Sequence, residues 1–194
     1  MSPTLTNKVR WTTADLELFP DNGKRYEIID GELFVTKAPD WKHQNVADNV
    51  CTELKIWSRQ SGLGDAATTP GIIFTDADNV IPDVVWASNE RLAEILDEAG
   101  HLTGVPELII EVLSPGETQE RRDRELKLKL YSSQGVREYW IFDRIQIKIE
   151  IYRRENGVLK LAVTLYREDN LTSPLLPGFS CPVERLFSSV IQGI

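Results

Sequence analysis

The sequence predicts an α/β domain, with a mixed central sheet flanked by helices and antiparallel hairpins at its edges. Three observations carry that prediction. Residues 106–115 form a short run that is apolar on both faces, the pattern of a central strand covered from above and below. A helical stretch from Thr118 to Ser133 leads to a second apolar run at 136–143, and strand, helix and returning strand in this order imply a right-handed crossover with parallel pairing. Shorter alternating runs joined at Asp30-Gly31 and at Glu155-Asn156-Gly157 supply the hairpins.

In chain order, residues 1–10 are expected to form a mobile tail and residues 11–194 a single domain, long enough to bury a substantial core. Thr13 is the expected N-cap of a short helix with Leu16 and Phe19 inward and Pro20 as its stop. Arg25 to Ile29 and Glu32 to Val35 flank Asp30-Gly31, which readily takes both positive φ angles of a type I′ turn. Between Pro39 and Gln60, Val46, Val50, Leu54 and Trp57 form the apolar stripe of a helix that covers the sheet, and Ser61 to Gly64 break it. Gly71 to Thr75 and Val80 to Trp86 read as a second hairpin. Asp76 and Asp78 in its loop do not make a calcium site, because Ile81 and Ala87 stand where an EF-hand needs Gly and Glu.

Ser88 caps a helix expected to reach Ala99, ended by Gly100. Ser114, Pro115 and Glu117 have the spacing of a capping box for the helix that follows. In that helix Leu126 and Leu130 are the expected buried row, with Asp123, Lys127 and Tyr131 in the adjacent row at the edge of the apolar face. Gly135 closes it. Ile145 to Arg153 and Leu159 to Arg167 form an antiparallel meander at a sheet edge, and the stretch from Leu175 to Phe187 packs over one end of the core.

A net charge of −8 and a pI near 4.9 exclude a surface generally attractive to nucleic acid, so any such site is local. Cys51 and Cys181 stand far apart with no CxxC spacing, which removes zinc, thiol-redox and disulfide-framework readings. No apolar run approaches a membrane span, so no membrane partner and a cytoplasmic location are expected. A hydrolase elbow, a P-loop and a dinucleotide-binding glycine motif are all missing.

What stands out is acids on strands. Glu111 shares a strand face with Ile109 and Leu113, where an unpartnered carboxylate would cost several kcal/mol, of order 3–5. Asp83 repeats the anomaly between Ile81 and Val85. If the two strands are neighbours, these acids form a hard, anionic pocket suited to a divalent cation. Glu27 lies in the first hairpin, either as a rim carboxylate paired with Lys24, Arg25 or Lys37 or as a further ligand. Lys127 reads either as the cation beside the acids or as half of a surface pair with Asp123. His43, in the first turn of its helix, is more simply a solvated or capping residue than a ligand or base, since no second His or Cys is near.

Arg25-Tyr26-Glu27-Ile28-Ile29-Asp30-Gly31-Glu32-Leu33, Pro82-Asp83-Val84-Val85, Glu107 to Pro115, Asp123-x-x-x-Lys127-x-x-x-Tyr131 and Gly135-Val136-x-Glu138-Tyr139-Trp140-Ile141-x-Asp143 together resemble the successive motifs of the bacterial putative restriction endonuclease family, within the PD-(D/E)XK nuclease superfamily. The resemblance runs from Trp11 to Phe187 and implies a restriction-endonuclease-like core. It implies Asp83 and Glu111 as metal ligands, Glu27 as the family's first acid, and Lys127 as the catalytic cation. The chain departs from the superfamily pattern at Leu113, where a Lys is usual two residues after the acid; the cation looks displaced onto the following helix. His43 also falls where the family often has a histidine.

The expected activity is hydrolysis of DNA phosphodiester bonds with Mg²⁺, for which Mn²⁺ is a substitute. Phosphate contacts would have to come from local clusters such as Arg121, Arg122, Arg124 and Lys129, or Lys37 and Lys42. Cutting both strands calls for two sites about a two-fold axis, so a homodimer is the matching assembly. The competing reading is a non-catalytic interaction or scaffold module on the same fold, in which Lys127 satisfies Asp83 and Glu111 as a buried ion network without metal.

Overall fold

The computed structural model describes residues 9–188. The first eight residues of the expected tail, and residues 189–194, lie outside them; Arg10, the last residue of that tail, pairs with Asp30 at 2.9 Å. A 3-10 helix at Thr13–Leu18 opens the fold, with Thr12 rather than Thr13 at its cap, because the Asp15 carboxylate takes the Thr12 N–H and hydroxyl at 2.8 Å each. Then come β1 (Arg25–Ile29) and β2 (Glu32–Thr36), joined by Asp30 and Gly31 at φ 49° and 69°, the left-handed pair the dipeptide predicts. Helix α1 (Trp41–Ser61) is N-capped by Asp40 and ends at Gly62 in the left-handed conformation.

Next are β3 (Gly64–Thr68), β4 (Ile72–Thr75), β5 (Asp78–Val80), β6 (Val84–Ser88) and α2 (Asn89–Ile95), followed by the central strand β7 (Leu108–Val112). A continuous helical passage follows: α3 (Glu117–Arg121), a π-helical turn (Arg122–Lys127) and α4 (Leu128–Gln134). The chain closes with β8 (Glu138–Asp143), β9 (Lys148–Glu155), β10 (Val158–Tyr166), β11 (Asn170–Thr172), β12 (Ser180–Pro182) and α5 (Val183–Leu186).

The main sheet has six strands in the order β10-β9-β8-β7-β6-β3, and only the β7–β8 pair is parallel, as the crossover requires. A second sheet, β2-β1-β5-β4, stands apart from it. Alternation along β7 divides the core. Leu108, Ile110 and Val112 face the α1 stripe of Val46, Val50 and Leu54, together with Trp140, Phe142 and the C-terminal Leu176, Phe179 and Val183. Ile109 and Leu113 face Tyr131, Tyr139, Ile141 and the small sheet's Ile29, Ile72 and Val80. Glu111 is the odd member of this second face.

Several expectations give way to tertiary structure. The hairpin expected between 71–75 and 80–86 is split, because β4 pairs with β5 in the small sheet whereas β6 pairs with β3 and β7 in the large one. Pro82, with no N–H to offer a ladder, stands at the break. Helix α2 stops at Ile95, well before Ala99, as Leu96 leaves the helix to bridge Leu102. The capping box at Ser114 does not form: Gly116 at φ 125° is the residue before α3.

Strand β3 was not expected at all, and its close fit makes a prediction. A Cβ at Gly64 would stand 2.6 Å from the Trp86 ring and 2.9 Å from Ser88 Cα, with the Ala87 carbonyl nearer still. Gly64→Ala should therefore lower stability by about 1–3 kcal/mol, the usual cost of overpacking, despite alanine's smaller backbone entropy loss. Urea melts that superimpose on wild type would contradict this close packing.

Candidate active site

Strands β6 and β7 run antiparallel with Val84 opposite Ile110 and Val85 opposite Ile109. Continued by one residue, that register sets Asp83 opposite Glu111, and directly opposed residues of an antiparallel pair project to the same side. Both are buried, at 4 % and 3 % exposure, and both line one cavity of about 420 Å³ with Glu27, His43, Asp123, Arg122 and Lys127. The two acids therefore meet at one place, although Asp83 sits just before its strand rather than within it.

Each carboxylate has its own set of donors. Asp83 Oδ2 accepts the Val112 N–H at 2.9 Å and lies 3.2 Å from His43 Nε2, while Oδ1 accepts Arg25 Nη1 at 3.1 Å. Glu111 Oε1 accepts both Lys127 Nζ at 2.8 Å and the Tyr131 hydroxyl at 2.9 Å; Oε2 takes no part in those bonds. Glu27 Oε1 lies 2.9 Å from Lys127 Nζ and accepts the Ile81 N–H at 3.0 Å. Asp123 Oδ1 accepts Arg122 Nε at 3.1 Å and stands 3.9 Å from Lys127 Nζ.

Lys127 reaches this place because of the π-helical turn. A turn with i→i+5 bonding winds less per residue than an α-helix and so rotates side chains relative to a 3.6 period. The row expected at the boundary is the most buried: Asp123, Lys127 and Tyr131 are 2 %, 1 % and 0 % exposed. Leu126, expected in the core, is 40 % exposed. Lys127 is thus no surface pair with Asp123; its Nζ is shared between Glu111 and Glu27 in the interior. Glu27 is correspondingly no rim carboxylate, and His43 is neither solvated nor a capping group, since Asp40 caps α1.

These environments separate the two central acids. Burial pushes the Asp83 carboxyl up, but the hydrogen bond and charge of His43, the Val112 N–H and Lys127 outweigh it and hold the group at about 2. Burial pushes Glu111 up as well, and Lys127 opposes it, but Asp83, Asp123 and Glu27 repel a further negative charge, leaving it at about 8. Burial works against the Lys127 ammonium, yet Glu111, Glu27 and Asp123 raise its pKa overall. Two neighbouring carboxyls, one held ionised and one prone to hold a proton, are an arrangement that acid–base and metal sites use.

The donors fit a hard divalent cation in kind, since they are carboxylate oxygens. Among the described residues no group of three or more His, Cys, Asp or Glu stands placed to hold a metal. A pair, Asp83 with Glu111, fits Mg²⁺, which is commonly held by one or two carboxylates and completes its shell with water and substrate phosphate. Of the arginines expected to contact phosphate, Arg121 is tied to Glu125, Arg124 to Glu150 and Asp143, and Arg122 to Asp123. Sequence reasoning missed Arg25 as the partner of Asp83, whose only signal is its place two residues before Glu27 on the first strand.

The family model for Uma2, described as putative restriction endonuclease, matches residues 13–184. The chain belongs to this family. The Uma2 assignment covers β1, the β6–β7 pair, the helical passage and β8, and so every residue of the cavity named above. A solved structure from Anabaena variabilis, described as a putative nuclease belonging to DUF820, superposes with a TM-score of 0.72 at 17 % identity, covering 92 % of this chain and 98 % of that one. At that identity the likeness is one of fold. No curated protein matches the chain. Among the described residues, no helix is long and apolar enough to cross a membrane.

Proposed function

We propose that this Uma2 chain is a Mg²⁺-dependent endonuclease that hydrolyses DNA phosphodiester bonds in the cavity between β6, β7 and the π-helical turn. The observation that carries the reading is the opposed Asp83 and Glu111 with an ammonium 2.8 Å from the second acid, all lining one cavity. When bound there, a divalent ion supplies polarisation of the scissile phosphate and a more acidic attacking water.

The chain's own groups do the rest. Asp83, ionised and fixed by the Val112 N–H, offers oxygen on one side; Glu111, fixed by Tyr131, offers it on the other. Lys127 Nζ orients a water or offsets the charge that develops on phosphate oxygens. Glu27 draws the ammonium to one side through Oε1, and its Oε2, 3.9 Å from Arg122, is the oxygen it would offer as a further ligand. His43 holds Asp83. A homodimer would present two such sites for the two strands of a duplex.

The test is a calorimetric titration of Mn²⁺ into the wild-type chain and into Glu111→Gln, with a structure of Mn²⁺-soaked crystals. The expected result is millimolar or tighter binding at Asp83 and Glu111 that Glu111→Gln weakens at least about 10-fold, the scale on which disturbed metal sites lose affinity. A second reading, a scaffold module without metal, is favoured by one observation: no set of three or more ligands stands ready among the described residues. Binding that is absent at millimolar Mn²⁺, or unchanged in Glu111→Gln, would decide for it.

A further inference from the structure

Arg144 follows β8 and is 6 % exposed, yet it lines no part of the cavity. A buried guanidinium is costly to keep unless its donors are matched, and here they are. Nη1 and Nη2 donate to the two oxygens of Asp40 at 2.8 and 2.5 Å, the forked geometry that suits arginine, and Nε points to the Leu113 carbonyl at 3.4 Å. Leu113 is the residue just past β7, itself bonded through its N–H to the Phe142 carbonyl. One side chain thus joins the exit of the strand that carries Glu111 to the residue that starts α1.

Asp40 does more than receive it. Its Oδ1 also accepts the His43 N–H at 3.0 Å, so the oxygen that takes one arm of the fork also sets the first turn of α1. From that turn the His43 imidazole reaches Asp83 through Nε2 at 3.2 Å. Its other nitrogen, Nδ1, is buried and, among the described residues, has no hydrogen-bond partner. A ring held by one nitrogen only is oriented by the backbone that carries it, and that backbone is held by Asp40.

We infer that Arg144 is a positioning residue for the site: through Asp40 it fixes the entry of α1, and so the imidazole that holds Asp83 opposite Glu111. The inference rests on the proposed function only in taking Asp83 and Glu111 as the working pair. Its geometric content does not depend on cleavage.

The arrangement can be tested without substrate or metal. The described chain has His43 and His101, so His101→Gln leaves a single imidazole whose ring ¹⁵N signals are read directly in the metal-free protein at one fixed pH. In that background, Asp40→Ser retains an N-cap but is too short to take the fork, and Asp40→Asn retains the cap but sets an amide donor against one arm of the fork. Arg144→Lys keeps the charge and loses the fork. The expected result is that Asp40→Ser, Asp40→Asn and Arg144→Lys each shift or broaden the His43 ring signals relative to the His101→Gln parent. A purely structural role would lower the melting temperature while leaving the ring signals of the folded protein in place, and that outcome overturns the inference. Parental signals in Asp40→Ser overturn it too, since capping alone would then suffice. Because the readout is the imidazole itself, a failed inference leaves the nuclease reading standing, and failure of metal binding or cleavage leaves these spectra unchanged.

Discussion

Asp83→Ala should abolish Mg²⁺-dependent cleavage of DNA, with a loss of at least about 100-fold, the scale seen when one preorganised charged or polar group is removed from a buried site. Asp83 is the acid the fold keeps ionised, and it is held from three directions by Val112, His43 and Arg25. Its removal strands three donors, each at about 1–3 kcal/mol when left buried and unsatisfied, and breaks the Arg25 pair. The sum approaches the stability of an ordinary domain, about 5–15 kcal/mol, so Asp83→Asn, which keeps the side chain's shape and one acceptor, is measured beside it. Plasmid and oligonucleotide cleavage, read beside near-ultraviolet circular dichroism, separates the two effects. Wild-type cutting by a folded Asp83→Ala protein would refute the site.

Lys127→Ala should act on stability as well as on turnover. The ammonium is 1 % exposed and faces Glu111, Glu27 and Asp123, so its loss leaves buried acids without their cation, a change that typically costs about 3–5 kcal/mol. Glu27→Gln in the same chain should restore part of that loss, because it removes one of the acids left unpaired. Turnover should fall more than metal affinity, since Lys127 donates to the acids' environment and holds no metal itself. Urea melts of the single and double variants, with Mn²⁺ titrations of each, read these effects separately. A Lys127→Ala protein as stable as wild type would mean that the cluster is not organised around its ammonium, and equal losses of affinity and turnover would argue against its catalytic role.

The parts of this molecule that follow local rules were legible in the chain. Asp30-Gly31 turns where its φ angles demand, Val46, Val50 and Leu54 fall on one helical stripe, and Leu108 to Val112 and Glu138 to Asp143 pair in parallel across a helix. The two central acids were legible for the same reason: a carboxylate is conspicuous in an apolar strand. Strand β3 was not, because Gly64, Asp65, Ala66, Ala67 and Thr68 carry no alternation of large apolar residues and acquire strand form only by pairing with β6. The split between β5 and β6 likewise depends on which sheet each joins, which no single stretch encodes.

The sequence by itself determined the family, the mixed α/β order and the identity of Asp83 and Glu111 as acids out of place, because each is written in spacings of a few residues. Only the tertiary structure decided who their partners are. The π-helical turn carries Lys127 inward and Leu126 outward against the simple period, and His43 and Arg25 come to Asp83 from distant stretches. The physical reason is that a buried charge is stabilised by whatever opposite charge or donor lies nearest in space, and nearness across a folded sheet is set by register and helix winding rather than by position along the chain.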